Sequence, residues 1–247
     1  MQSTPQGRQS FPELDPNSWI SFRDGKLTQH EPSPYAWMSI RDGESMKALL
    51  VNAAAARRGE PLRVLEWGAG KSTFSFTDIL REAEMPYRWL ALEYDRQFCD
   101  ATIAPELLRR PDTLLRYIED GRVVTGAAVG EPAIEVVCWN SPPLRPFMGA
   151  DHRADRSANL DAYVDYPMST GRQFDVIIVD GRKRRRCLLA ALDLMAEGGI
   201  VLLHDAYRDY YHCATDAYAV ARFFGDALWI GAADEAALEA VVGASEA

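Results

Sequence analysis

R-V-L-E-W-G-A-G-K-S-T-F, residues 63–74, decides the fold. An apolar strand over 63–67 runs into the turn Gly68-Ala69-Gly70, and a helix predicted over 73–83 follows at once. Glycines there let backbone approach a ligand closely, and the start of the next helix offers unpaired N–H groups. Outward from this unit, short apolar runs alternate with helical stretches, the pattern of βαβ units. Further strands are predicted at 88–93, 134–139, 174–180, 200–205 and 227–230. Helices are predicted at 42–58, at 95–110 with a bend at Pro105, at 184–196 closed by Gly198-Gly199, and over much of 208–222. The expected fold is a doubly wound, Rossmann-like α/β three-layer sandwich with a mostly parallel sheet of about seven strands. Residues 61–247 form its domain. Residues 1–60 hold a proline-broken segment, irregular to about residue 35, and a helix that pack as a lid.

The chain has 247 residues, 47% hydrophobic and 26% charged, so it can bury a full core and is not a disordered chain. Its net charge of −9 argues against nucleic acid as a partner. No apolar run approaches the ~20 residues of a membrane span, and the amino-terminal ten residues lack the apolar core of a secretory signal. Cys99, Cys138, Cys187 and Cys213 form no C-x-x-C pair, which predicts reduced thiols in a cytoplasmic protein without a zinc site.

Three ligands compete for the glycine turn. A phosphate loop needs glycine where Leu65 stands, ahead of Gly70-Lys71-Ser72, and a dinucleotide fingerprint needs a third glycine where Thr73 stands. S-adenosylmethionine fits better. Glu66 at the strand end suits the cationic amino-acid part of that cofactor and would repel a pyrophosphate, while Gly68, Gly70 and Ser72 lie against the same part. Glu93 ends the second strand 25 residues after Gly68, where one carboxylate accepts from both ribose hydroxyls.

With F-D-V-I-I-V-D-G-R (174–182) and M-A-E-G-G-I-V-L-L-H-D (195–205), the chain resembles the class I S-adenosylmethionine-dependent methyltransferases over most of 62–231. The V-D-G and H-D endings look most like the small-molecule O-methyltransferases of catechol and sugar type. The resemblance implies S-adenosylmethionine as cofactor and a small polar or anionic acceptor. It also implies a magnesium site at Asp180 and Asp205, against which Ala206 counts, since catechol-type enzymes place Asn there. Asp180, His204 and Asp205 are the expected catalytic residues, with His204 as a candidate base. Arg182 and Tyr207 are expected to touch the acceptor. The run R-K-R-R-R (182–186) is either an anion-binding rim or a solvated face paired with acids.

N-S-P-P-L (140–144) lacks the terminal aromatic of the N-P-P-Y motif of amino-group methyltransferases and reads as a turn. The long stretch 140–172 reads as irregular, with His152, Arg153, Arg156, Tyr163 and Tyr166 as pocket candidates. Two other functions stay open: an NAD-dependent oxidoreductase with a degenerate fingerprint, and a non-catalytic binding protein on the same fold. A homo-oligomer is compatible with either.

Overall fold

The computed structural model describes residues 19–23, 26–30, 33–125, 132–141 and 158–242. Most of N-S-P-P-L and all of His152, Arg153 and Arg156 lie outside them. An antiparallel hairpin comes first, β1 (Trp19–Arg23) and β2 (Lys26–His30), where the sequence reading expected irregular chain. Then follow α1 (Ile40–Ala56), β3 (Leu62–Trp67), α2 (Lys71–Glu82) and β4 (Tyr87–Asp95). The next helical stretch passes from α3 (Arg96–Phe98) through a π turn (Cys99–Ile103) into α4 (Ala104–Leu108). Three strands come next: β5 (Thr113–Tyr117), β6 (Val123–Thr125) and β7 (Ile134–Ser141). The remaining major elements are α5 (Asp161–Ser169), β8 (Phe174–Val179), α6 (Arg184–Leu194), β9 (Met195–Leu203), α7 (His212–Thr215), β10 (Val220–Phe224), β11 (Leu228–Ala232) and α8 (Glu235–Val242).

The main sheet has nine strands rather than seven, in the order β10-β11-β9-β8-β3-β4-β7-β5-β6. Its six central strands, β9 to β5 in that order, run parallel, and β11, β10 and β6 add antiparallel edges. Three expectations are corrected here. Residues 220–224 are a strand, not the end of a helix, because they pair with β11 across the Gly225 turn. Gly198-Gly199 lies inside β9, where its register with β8 shifts, so it does not cap α6. The stretch read as irregular at 140–172 contains α5, whose Tyr163 and Val164 are buried.

Strand side chains alternate between faces, and this alternation builds two cores. Leu62 and Val64 of β3 face α1 and α2, together with Trp89, Val176, Ile178, Ile200 and Leu202. Leu65 and Trp67 face α5 and α6, together with Leu92, Ile177, Val179, Val201 and Leu203. The carboxyl ends of β3, β4, β8 and β9 therefore share one edge. Chain order reverses between β3 and β8, which in open α/β sheets opens a crevice at those ends. The backbone there is tightly apposed: Asp180 N–H donates to the Trp67 carbonyl at 2.9 Å. A Cβ on Gly68 would lie 2.6 Å from the Gly181 nitrogen.

Gly68 has φ +103° and no room for a side chain, whereas Gly171 has φ +65° and open space around it. Gly68→Ala is therefore expected to lower unfolding free energy by about 2–4 kcal/mol, and Gly171→Ala by about 1 kcal/mol, in urea titrations. Equal losses at the two positions would contradict the crowding argument.

Candidate active site at the carboxyl edge of the sheet

Glu66 shares the parity of Leu62 and Val64, so its side chain turns under α2 and is fully buried. Both carboxylate oxygens are taken. Ser72 Oγ donates to one; Thr73 Oγ1 at 2.6 Å and Trp89 Nε1 at 2.8 Å donate to the other. Burial raises its pKa to about 7 despite these donors. Thr73 also accepts the Gly70 N–H at 3.0 Å. The residue that breaks the dinucleotide fingerprint is thus the one that ties the glycine turn to Glu66. Glu66 and Ser72, expected against the cofactor, instead meet each other beneath the turn. Gly68 and Gly70 line the turn itself, and a Cβ on Gly70 would meet nothing nearer than the Phe98 ring at 3.9 Å.

Glu93 ends the buried part of β4 and is 6% exposed. Its Oε1 accepts the backbone N–H groups of Tyr94 at 2.8 Å and Asp95 at 2.9 Å. Its other oxygen takes no hydrogen bond from the described residues. Burial is the main reason its pKa is pushed up to about 8. Beside it Arg182 donates to Tyr94 Oη at 3.2 Å and lies over that ring at 5.6 Å. Arg182, expected at the acceptor, therefore leans across the edge toward the Glu93 side. Tyr94, Trp139, Tyr163 and Tyr166 make a chain of edge-on rings behind it. Tyr163 Oη is buried and points at Gly181, where a Cβ would collide with it.

Asp180, His204 and Asp205 come together at the ends of β8 and β9. His204 Nδ1 lies 3.0 Å from Asp180 Oδ1, and the ring is 3% exposed. Burial disfavours its charged form, but Asp180 and Asp205 outweigh that and leave its pKa raised. Asp180 Oδ2 takes no hydrogen bond from the described residues. Asp205 sits at φ +56°, a left-handed conformation rare for a residue with a side chain. Its carboxylate is largely buried, which works against its charge, yet His204, Arg184 and Arg208 hold its pKa below the ordinary value. Tyr207 is half-buried next to Asp205, with the Arg208 guanidinium 5.7 Å from its ring centre.

The basic run resolves residue by residue. Arg184 is turned inward onto Asp180 at 2.9 Å and Asp205 at 3.2 Å, with 11% of its side chain exposed. Arg186 pairs with Asp161 and Asp165. Two of the five, Arg184 and Arg186, pair with acids, and Arg184 is turned inward rather than solvated. Asp42 is a further missed residue. This buried acid in the first turn of α1 accepts the N–H groups of Asp226 at 2.6 Å and Ala227 at 3.1 Å. Ala227 in turn accepts the Ala206 N–H at 2.9 Å, so α1 braces the loop after Asp205.

At the opposite edge, a cavity of about 840 Å³ is lined by Arg57, Arg63, Trp89, Glu135 and Arg172, among others. Arg57 and Arg63 pair with Asp175 there, and Arg172 pairs with Glu135. It lies at the amino ends of the strands, away from the cluster just described.

No protein-family model matches the sequence, and no curated protein matches it. Solved structures do resemble it. A methyltransferase-like protein from Silicibacter pomeroyi is 20% identical, covering 79% of this chain and 94% of that one at TM-score 0.45. The O-methyltransferase TomG from Streptomyces achromogenes, involved in tomaymycin synthesis and solved with S-adenosylmethionine, is 16% identical over 74% and 77% at 0.42. Spermidine synthase from Thermotoga maritima is 13% identical over 90% and 74% at 0.44. At these identities and scores, the roles assigned below rest on the residues of this chain. No helix among the described residues is long and apolar enough to cross a membrane.

The raised Glu93 pKa sets a sign for stability. The folded chain binds that proton more tightly than the unfolded chain, so this stability is present below about pH 4.5 and lost as pH rises through about 8. Glu93→Gln should leave the melting temperature of the ligand-free protein nearly unchanged at about pH 5 and raise it at about pH 8.5. Equal melting temperatures for the two proteins at both pH values would contradict the burial described.

Proposed function

We propose that the chain is an S-adenosylmethionine-dependent methyltransferase acting on an oxygen of a small polar acceptor. One observation carries this reading. Glu93 and Asp180 flank the glycine turn, and each has one carboxylate oxygen held by protein donors and another that takes no hydrogen bond from the described residues. One site thus offers a holder for a vicinal diol and a proton acceptor, both at the carboxyl edge of a parallel sheet. Glu93 would bind the ribose hydroxyls, and the N–H groups of the first residues of α2 would take the carboxylate end of the cofactor, since those of Gly68 and Ala69 donate to the Leu92 carbonyl and that of Gly70 to Thr73. The cofactor supplies a methyl group already activated as a sulfonium. What the protein adds is position and proton removal.

Asp180 Oδ2 accepts the hydroxyl proton of the acceptor as the oxygen takes the methyl group. His204 is a positioning residue in this account, because it is buried and its Nδ1 is already engaged with Asp180. Asp205, held by Arg184 and Arg208, and Tyr207 form the far wall of the acceptor side. The stretch over 33–38 acts as part of a lid. Lys71, the first residue of α2, reaches the Ser33 carbonyl at 3.5 Å, and Tyr35 packs on Phe76 of α2 at 6.0 Å between ring centres.

The two carboxylates should separate under mutation. Asp180→Asn is expected to lower kcat by about 10²–10⁴-fold while S-adenosylhomocysteine affinity stays within about threefold. Glu93→Ala should weaken that affinity at least about tenfold. Release of S-adenosylhomocysteine, followed across hydroxylated aromatic acids and sugar acids, reads the first; calorimetry reads the second. Turnover of an acceptor unchanged in Asp180→Asn would overturn the assignment.

A further inference from the structure

The pairing of Asp180 and Asp205 invites a divalent metal, since one ligand atom each from Asp180, His204 and Asp205 lies within 4.8 Å of the others. The residues present do not fit that ion. A magnesium ion wants a near-octahedral shell of oxygens, with room for several waters. Here a guanidinium lies between the acids. Arg184 Nε donates to the Gly181 carbonyl at 3.0 Å. Nη1 donates to the His204 carbonyl at 2.6 Å and to Asp205 Oδ2 at 3.2 Å. Nη2 donates to the Asp180 carbonyl at 2.8 Å and pairs with Asp180 Oδ1 at 2.9 Å.

Four hydrogen bonds and one ion pair thus engage all three guanidinium nitrogens. The acceptors come from the ends of both β8 and β9, so the arginine clamps the two strands together. Arg208 adds a second cation on Asp205 Oδ2 at 2.9 Å. Two arginines thus balance two carboxylates. A divalent ion placed between the acids would either leave this largely buried cluster two charges in excess beside Arg184 or have to displace Arg184 from four hydrogen bonds and an ion pair. The backbone fits the same purpose: Lys183, just before Arg184, and Asp205 both hold left-handed conformations, at φ +57° and +56°.

We propose that Arg184 is the resident cation of this site and stands where a divalent metal would, so the acceptor is held by hydrogen bonds rather than by chelation. The inference deepens the methyltransferase reading and rests on it for the reaction. It selects an acceptor class: molecules that offer one hydroxyl to Asp180, without need of a second oxygen beside it to share a metal. In the reaction, the sulfonium–methyl bond breaks as the oxygen–methyl bond forms, the thioether keeps the bonding pair, and the hydroxyl proton goes to Asp180. Arg184 is a positioning residue, because it touches the acids and not the reacting atoms.

The test measures Mn²⁺ binding to the full-length protein by electron paramagnetic resonance, with and without S-adenosylhomocysteine. No stoichiometric binding is expected up to about 1 mM Mn²⁺, and the melting temperature should be the same in EDTA and in excess Mg²⁺. Arg184→Ala, if it folds, should gain a Mn²⁺ site that Asp205→Asn removes; Arg184→Lys should gain none. Wild-type binding at one ion per chain below about 100 μM, abolished by Asp205→Asn, would overturn the proposal without any variant of Arg184. S-adenosylhomocysteine titrated into the same sample separates the two claims. If it binds and Mn²⁺ also binds, the arginine proposal fails and the methyltransferase reading stands; if neither binds, the methyltransferase reading fails and Arg184 still excludes metal.

Discussion

A buried carboxylate with three donors holds the functional edge of this protein together. Glu66 would be expensive to bury alone. Ser72 and Thr73 from α2 and Trp89 from β4 converge on it, so one side chain fastens the central strand, the helix after it and the neighbouring strand. Thr73 then passes the constraint to the Gly70 N–H, which fixes the turn. Gly68 in turn packs so closely on Gly181 that the end of β8 has one place to go. The positions of Asp180 and of the N–H groups facing the crevice follow from that contact.

The edge is also an electrostatic construction. Asp180 and Asp205 are balanced by Arg184 and Arg208, while Glu93 is left to burial and two backbone donors. Burial raises the pKa of Glu93, so keeping it charged in the folded chain opposes stability. Asp42 extends the bracing to the amino-terminal part of the chain. It holds the β10–β11 turn, and through Ala227 it reaches Ala206 next to Asp205. The segment over 33–56 is therefore mechanically coupled to the end of β9.

Much of this was legible from the sequence, and the gaps have physical reasons. Strand–turn–helix units over 62–82 and 174–194 were readable because their apolar runs are continuous and glycine marks the turns. T-L-L-R-Y at 113–117 alternates buried and half-buried residues, but as a five-residue strand inside a helix-rich stretch it gives too short a period to stand out. V-A-R-F-F at 220–224 carries no strand signal of its own, since its three central residues are exposed and only pairing with β11 makes it a strand. The choice of Glu66, Glu93, Asp180, His204 and Asp205 came from their places at strand ends. The direction in which Glu66 points was also available from parity with Leu62 and Val64. Arg184 was hidden among five consecutive basic residues, since charge alone does not say which member of a run turns inward. Asp42 looked like an ordinary first-turn acid because its partners lie more than 180 residues away.

The central claim is that the crevice between β3 and β8 receives S-adenosylmethionine. Calorimetric titration of the folded protein with S-adenosylhomocysteine, with NAD in parallel, tests it most directly. The account predicts one site per chain with a Kd of about 1–100 μM for S-adenosylhomocysteine and no heat with NAD. Silence with S-adenosylhomocysteine, or saturable binding of NAD instead, would contradict it.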